Sequence, residues 1–166
     1  MSMMKIRLVY PAIFVACAGL LGFGLYLQHV EHLDPCPLCI LQRIAFIATG
    51  LTALLAAVHN PHKIGHAIYA VILTMFAGIG EGIAGWHVWL QHTPPRKVVE
   101  CGPGLDYMLD AFPLSKVLPM IFKGSGDCGN IAWVFLGLSI PGWSLIWFIL
   151  LTLAGLALLI QVLRQR

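Results

Sequence analysis

Four long apolar stretches divide the chain into four predicted membrane-spanning helices. A helix needs roughly 20 apolar residues to cross the hydrocarbon core of a bilayer. The stretches cover residues 8–27, 40–58, 67–90 and 143–163. The first and the last carry no charge, whereas the second carries Arg43 and the third carries Glu81. This pattern predicts an all-α fold, namely an integral membrane four-helix bundle.

Composition supports a membrane protein and excludes a soluble one. Hydrophobic residues make up 59% of the 166 residues and charged residues only 10%, against about a quarter charged in soluble domains. So few charges cannot cover a surface in water, and lipid must cover much of the chain. The spans use about half of the chain, so we expect residues 1–166 to form a single membrane domain. The net charge of +3 is thinly spread, which excludes a nucleic-acid partner.

The first apolar stretch has a second interpretation, as a cleaved signal peptide. Lys5 and Arg7 precede it, and Ala16-Cys17-Ala18 resembles a cleavage or lipidation site. Cleavage there would leave the apolar residues 19–27 stranded outside the membrane. We therefore favour an uncleaved helix.

Basic residues predict the orientation of the bundle. Two longer loops, residues 28–39 and 91–142, lie on one side, and both termini lie on the other with the short loop around Lys63. Basic residues are dense on the terminus side, at Lys5, Arg7, Lys63, Arg164 and Arg166. The other side has four basic residues spread among acids, at Arg96, Lys97, Lys116 and Lys123. This bias predicts cytoplasmic termini and both loops outside.

That orientation places four of the five cysteines outside the membrane, where disulfides persist in the bacterial periplasm. Cys36 and Cys39 lie in the first loop, and Cys101 and Cys128 in the second. The second loop also contains apolar residues over 106–122, interrupted by two prolines, which predicts short amphipathic pieces on the membrane surface.

Cys36-Pro37-Leu38-Cys39 is the most informative tetrapeptide. Proline favours an extended conformation at Cys36 and suits the first helical position. Cys36 is then the predicted N-cap of the second helix, with Cys39 in its first turn. The helix dipole and the free backbone N–H groups there favour a thiolate. Arg43 follows four residues later on the same helical face and favours it further.

Arg43 has two interpretations. A charged residue at the centre of a membrane helix costs about 2.5–3.5 kcal/mol on insertion scales, so it is either an interfacial arginine that reaches the head groups or a functional residue. Its position beside a candidate reactive thiol favours the second interpretation, that Arg43 is a functional residue. A guanidinium at that depth would stabilise the carbonyl of a quinone that gains electron density.

Other roles for the cysteines remain open at this point. Zinc ligands use the same C-x-x-C spacing, so the four loop cysteines could form a closed zinc site or purely structural disulfides. The helix start and the intramembrane arginine favour reactivity instead. Cys17 lies in mid-membrane among Ala and Gly and is interpreted as a packing residue.

Several motifs together resemble the disulfide bond formation protein B (DsbB) family over nearly the whole chain. They are Gln28-His29-Val30, Cys36-Pro-Leu-Cys39 with Arg43, a lone Cys101, Ser125-Gly-Asp-Cys128, and Phe135-Leu-Gly-Leu138 followed by Pro141 and Trp143. The Ser-Gly-Asp-Cys and Phe-Leu-Gly-Leu pieces, in this order, are far more specific than C-x-x-C alone.

The resemblance implies an inner-membrane thiol oxidase with a redox-active disulfide in each periplasmic loop. A soluble DsbA-type oxidase would attack Cys101 of a Cys101–Cys128 disulfide, and the released Cys128 would attack Cys36. Cys39 would then face ubiquinone or menaquinone beside Arg43. Each step is thiolate attack on a disulfide sulfur.

The third helix matches the family less well. It has no Lys or Arg where some members carry a basic residue, and His87 and His92 are weaker candidates for a quinone contact. An intramembrane acid such as Glu81 is either functional or satisfied by a neighbouring helix. The glycines around it predict close helix packing.

Two functions follow from this reading. The first is the quinone-linked thiol oxidase, or a paralogue that serves another soluble partner. The alternative is a non-enzymatic membrane protein whose cysteines bind metal or form structural disulfides. A change in thiol count on addition of reduced partner would distinguish them.

Overall fold

The computed structural model describes residues 3–92 and 133–164, and these contain four long helices. The helices are α1 (Met3–His29), α2 (Pro37–His59), α3 (Lys63–Gln91) and α4 (Ile140–Arg164). All four are long and apolar enough to cross a membrane. The predicted all-α, four-helix membrane fold is therefore confirmed. Cys101, Cys128 and the amphipathic pieces expected over 106–122 lie outside the described residues.

Each helix extends beyond its predicted span at both ends. A count of apolar residues marks only the part of a helix that needs lipid around it. Backbone hydrogen bonding continues into the polar ends, where capping decides the last residue. Asn60 ends α2 in this way, because it adopts the left-handed conformation and its N–H donates to the carbonyl of Ala56.

The helices pack in chain order, α1 on α2, α2 on α3, and α3 on α4. The α3–α4 contact is the most extensive, because small residues let the two backbones approach closely. A Cβ atom at Gly80 would overlap the ring of Phe148, and one at Gly155 would overlap Thr74. Phe148 in turn stacks on Phe46 of α2 with ring centroids 3.9 Å apart.

Large apolar side chains cover the outside of the bundle rather than its interior alone. Val58, Ile64 and Leu163, for example, are more than half exposed. The core itself contains many alanines, such as Ala53, Ala70 and Ala77. Lipid chains are as apolar as leucine, so leucine and isoleucine side chains need not be buried inside a bundle that lipid surrounds. This distribution therefore agrees with a multi-pass membrane protein.

A short antiparallel hairpin precedes α4. The sequence analysis predicted α4 but not this hairpin. Strand β1 (Val134–Phe135) pairs with β2 (Leu138–Ser139), with Val134 opposite Ser139. The turn residues Leu136 and Gly137 both have positive φ, at 51° and 81°, as a two-residue type I′ turn requires. The hydroxyl of Ser139 donates to Oε1 of Gln91 at 2.7 Å, which joins the hairpin to the end of α3.

Candidate functional site

The candidate site begins at the N-terminus of α2. Cys36 is the N-cap, with φ −66° and ψ 164°, and Pro37 occupies the first turn. The backbone N–H of Cys39 donates to Sγ of Cys36 at 3.4 Å, so the sulfur itself serves as the cap. The predicted local structure of the C-x-x-C segment is confirmed.

The two thiols lie together and next to a buried histidine. Sγ of Cys36 and Sγ of Cys39 are 3.1 Å apart, and both residues are half-buried. Nε2 of His87, from α3, is 3.7 Å from Sγ of Cys36. A disulfide needs the sulfur atoms about 2.05 Å apart, so a small movement of the side chains would allow the pair to form one.

A buried glutamine holds the histidine in place. Gln42 and His87 are 3% and 2% exposed, and Nε2 of Gln42 lies 3.1 Å from Nδ1 of His87. When the amide nitrogen donates this bond, the proton of the neutral imidazole is on Nε2, directed toward Cys36. The structure thus links Gln42, His87 and Cys36 across α2 and α3.

Arg43 is held against α1 at the same end of the bundle. Its Nη1 donates to Oε1 of Gln28 at 2.6 Å, and its Nη2 donates to the carbonyl of Gly24 at 3.0 Å. A guanidinium has five N–H donors in a planar fork. Donors therefore remain for a ligand, since these two are the hydrogen bonds of Arg43 within the described residues.

A cavity of about 560 Å³ joins these groups. Small-molecule sites typically enclose roughly 300–1,000 Å³ with apolar walls and a few polar groups. Aromatic side chains form much of the wall, and the polar groups gather at the N-terminus of α2. The lining includes Phe23, Phe46, Trp133, Phe135, Trp143 and Trp147, with Cys36, Cys39, Gln42, Arg43 and His87.

The structure brings some of the predicted site residues together and separates others. Cys36, Cys39, Arg43 and His87 all line the cavity. His92 does not: it caps the C-terminus of α3 as an exposed residue, and its Nδ1 donates to the carbonyl of Val88 at 2.8 Å. Nothing in this arrangement gives His92 a role at the cavity.

The remaining singled-out residues lie in the body of the bundle. Cys17 is 1% exposed, and its Cβ would be 3.1 Å from a Cβ added at Gly50, as expected of a packing residue. Glu81 is half-buried and makes no hydrogen bond or ion pair within 3–92 and 133–164. Of the glycines near it, Gly80 lies against α4, whereas Gly78 and Gly82 face open space. A Cβ atom at Gly85 would lie 3.9 Å from Leu145 of α4, an ordinary contact, so the predicted close packing rests mainly on Gly80.

Sequence reasoning missed two glutamines, Gln42 beside His87 and Gln28 beside Arg43. A signal was available for Gln42, because a polar residue in a membrane helix marks a functional site by default. Gln42 follows Cys39 by three residues and so shares its helical face. For Gln28 the sequence gives no such signal beyond a family motif, since its contact with Arg43 depends on how α1 packs on α2.

Fold and site together define a class: a multi-pass four-helix membrane protein with a paired-thiol centre open to an apolar cavity. The sequence profile of the family described as "Disulfide bond formation protein DsbB" matches residues 6–158. The chain is 49% identical over 160 residues to "Disulfide bond formation protein B" of Aromatoleum aromaticum, covering 96% of this chain and 94% of that protein.

Other relatives carry the same name. The protein of Marinobacter nauticus is 45% identical, over 95% of this chain and 94% of its own length. That of Hahella chejuensis is 51% identical, over 86% of this chain and 87% of its own length. The chain belongs to the DsbB family of disulfide bond formation proteins. The resemblance stated from the motifs is confirmed.

Proposed function

We propose that the protein is an inner-membrane thiol:quinone oxidoreductase that reoxidises a periplasmic DsbA-type dithiol oxidase. The observation that carries this proposal is the Cys36–Cys39 pair at the start of α2, which opens on a cavity also lined by Arg43. Membership of the DsbB family supports the redox role. The termini are proposed to be cytoplasmic and the cysteine loops periplasmic, from the distribution of basic residues.

The residues of the cavity fit a quinone, either ubiquinone or menaquinone. Aromatic walls suit an apolar ring, and the N–H donors of Arg43 suit a carbonyl oxygen. Cys39 and His87 line the same cavity, so a bound quinone would meet a thiolate donor and a proton-carrying group. A bound quinone supplies a two-electron acceptor that takes up two electrons and two protons.

The chain's own residues then carry electrons by thiol–disulfide exchange. A thiolate of the partner attacks Sγ of Cys101 and breaks the Cys101–Cys128 disulfide, releasing the Cys128 thiolate. Cys128 attacks Sγ of Cys36 in the Cys36–Cys39 disulfide, and Cys39 leaves as a thiolate stabilised at the helix N-terminus. The second thiol of the partner attacks the partner's sulfur in the mixed disulfide and releases Cys101 as a thiolate. Cys101 then attacks Sγ of Cys128, which re-forms the Cys101–Cys128 disulfide and releases Cys36 as a thiolate. One partner disulfide therefore forms for each Cys36–Cys39 dithiol that is left to be reoxidised.

His87 is proposed to donate a proton to Sγ of Cys36 or to accept one from it. Its Nε2 lies 3.7 Å from Sγ of Cys36, within reach to give or accept a proton as that sulfur changes its bonding. The amide of Gln42 fixes the ring orientation from the other nitrogen. This arrangement lets Cys36 act as an electrophilic sulfur in one step and as a thiolate in the next.

Trapping of mixed disulfides tests the proposed direction of electron flow. The partner's second cysteine is replaced by serine, so that it cannot resolve the mixed disulfide, and the partner's remaining cysteine is activated as a mixed disulfide with a small thiol. In a Cys128→Ser variant the Cys101 thiolate should displace that small thiol and remain covalently attached to the partner. A Cys101→Ser variant should not trap the partner and should instead form a Cys36–Cys128 disulfide. Non-reducing gels with mass-spectrometric mapping identify each species. Partner attached to Cys128 in the second variant, and none attached to Cys101 in the first, would show that electrons enter by the other cysteine.

A further inference from the structure

Three soft ligand atoms converge at the start of α2. Sγ of Cys36, Sγ of Cys39 and a ring nitrogen of His87 all lie within 4.8 Å of one another. Two thiolates with an imidazole are the ligands that zinc takes in proteins, whereas magnesium and calcium take oxygen ligands. We propose that, when both thiols are reduced, Cys36, Cys39 and His87 bind one Zn²⁺ ion.

The distances suit a tetrahedral ion. Zinc bonds of about 2.3 Å to sulfur and about 2.0–2.1 Å to nitrogen place sulfur and nitrogen ligands roughly 3.5 Å apart, and two sulfurs roughly 3.8 Å apart. The Cys36 sulfur lies 3.7 Å from Nε2 of His87. The two sulfurs, at 3.1 Å, would need to separate by about 0.7 Å when the ion binds.

Charge also favours zinc at this position. Each thiol loses its proton when it binds zinc. Two thiolates and a neutral imidazole around a divalent cation sum to zero, so the complex adds no net charge beside the apolar cavity. A buried unpaired charge there would be costly. A fourth coordination position remains for water or another small ligand, which the cavity lined by all three residues could supply.

Gln42 can form a hydrogen bond with either neutral tautomer of His87, with the ring proton on Nε2 or on Nδ1. Zinc bound through Nε2 requires the imidazole proton on Nδ1, and Nδ1–H then needs an acceptor. A glutamine amide has both a donor and an acceptor, so a rotated amide of Gln42 accepts from Nδ1–H across the same 3.1 Å contact. This site differs from a four-cysteine zinc site, because His87 takes the place of the two loop cysteines.

Zinc and oxidation compete for the same sulfur atoms. A Cys36–Cys39 disulfide has no thiolate to offer, so only the dithiol form binds zinc, and bound zinc withholds both sulfurs from disulfide formation. Metal binding does not depend on the proposed quinone reaction. Only its consequence, inhibition of turnover by zinc, rests on the proposed function.

The experiment measures zinc binding to the purified full-length chain in detergent. Cys101→Ser and Cys128→Ser are introduced so that the loop cysteines cannot bind the metal. Zinc chloride is titrated against a chromophoric chelator, with the protein as dithiol and as disulfide. We expect one Zn²⁺ per chain in the dithiol form and none in the disulfide form. His87→Gln should weaken binding about tenfold or more, whereas His92→Gln, on the same helix but outside the cavity, should leave it unchanged.

X-ray absorption at the zinc edge identifies the ligand atoms in the chain that retains His87. This measurement therefore does not depend on whether the His87 variant folds. Two sulfur ligands and at least one nitrogen ligand are expected in the chain that retains His87. Equal zinc affinity in the presence and absence of His87, binding retained by the disulfide form, or a shell of oxygen and nitrogen alone would overturn the proposal. Zinc binding without any quinone reduction would instead count against the proposed function, since the two measurements are separate.

Discussion

Arg43 shows how a charged side chain is accommodated near the end of a membrane helix. Its two hydrogen bonds to α1, with Gln28 and with the carbonyl of Gly24, occupy part of the guanidinium fork. An arginine that only reached for head groups would need no such anchors. Arg43 lines the same cavity as Cys39, which supports its proposed role as a binding group for an electron-accepting carbonyl.

Replacement of Arg43 tests that role. Hydrogen bonds to charged groups contribute about 1.5–3 kcal/mol, so Arg43→Ala should raise the apparent KM for quinone on the order of tenfold or more. Arg43→Lys should rescue only part of this, because an ammonium lacks the planar fork. Initial rates of quinone reduction against quinone concentration give the result. The matched control Gln28→Leu removes one anchor and keeps the cation, so its effect should be smaller. An unchanged KM in Arg43→Ala would favour the purely interfacial role.

The element that positions both the thiols and Arg43 is the first two turns of α2. Pro37 starts the helix, Cys36 caps it, and residues 39, 42 and 43 follow on the same side of the helix. The position of Phe46, further along α2, depends on the contact between α3 and α4, where Gly80 allows the ring of Phe148 to approach and stack on Phe46. Phe46 lines the cavity, so helix packing in the body of the bundle shapes the site.

A methyl group at Gly80 should therefore destabilise the protein and disturb the cavity. Overpacking costs typically 1–3 kcal/mol, because the added Cβ overlaps the ring of Phe148. We expect Gly80→Ala to lower the thermal unfolding midpoint in detergent, and Phe148→Leu in the same chain to restore part of the loss. Gly82→Ala is the matched control: the same substitution, two residues away on α3, meets nothing within 4 Å. Equal midpoints for Gly80→Ala and Gly82→Ala would contradict the close contact.

At the scale of the whole molecule, the antiparallel order of the helices gathers the site at one end. The C-termini of α1 and α3 and the N-termini of α2 and α4 meet there, with the hairpin beside them. The opposite end holds the short connection between α2 and α3, where Nδ1 of His59 lies 3.0 Å from the hydroxyl of Tyr69. The two ends therefore face different compartments, and the thiols belong to one of them.

Labelling with a membrane-impermeant thiol reagent tests the proposed orientation. Glu31 and Lys63 are both exposed and lie at opposite ends of the bundle. With the native cysteines replaced by alanine, Glu31→Cys should be labelled in intact spheroplasts, and Lys63→Cys only after the membrane is permeabilised. Each variant serves as the control for the other. Labelling of Lys63→Cys from outside would reverse the proposed topology.

The sequence by itself determined the four helices, the N-cap at Cys36 and the shared face of Cys39 and Arg43. These features are local, since apolar length, a proline at the first helical position and a four-residue spacing are all visible in consecutive residues. Only the tertiary structure decided that His87 rather than His92 joins the thiols, and that Gln42 and Gln28 hold His87 and Arg43. Those contacts connect residues 51, 45 and 15 positions apart. They depend on the rotation of each helix about its axis, which close packing sets and which no single apolar stretch specifies.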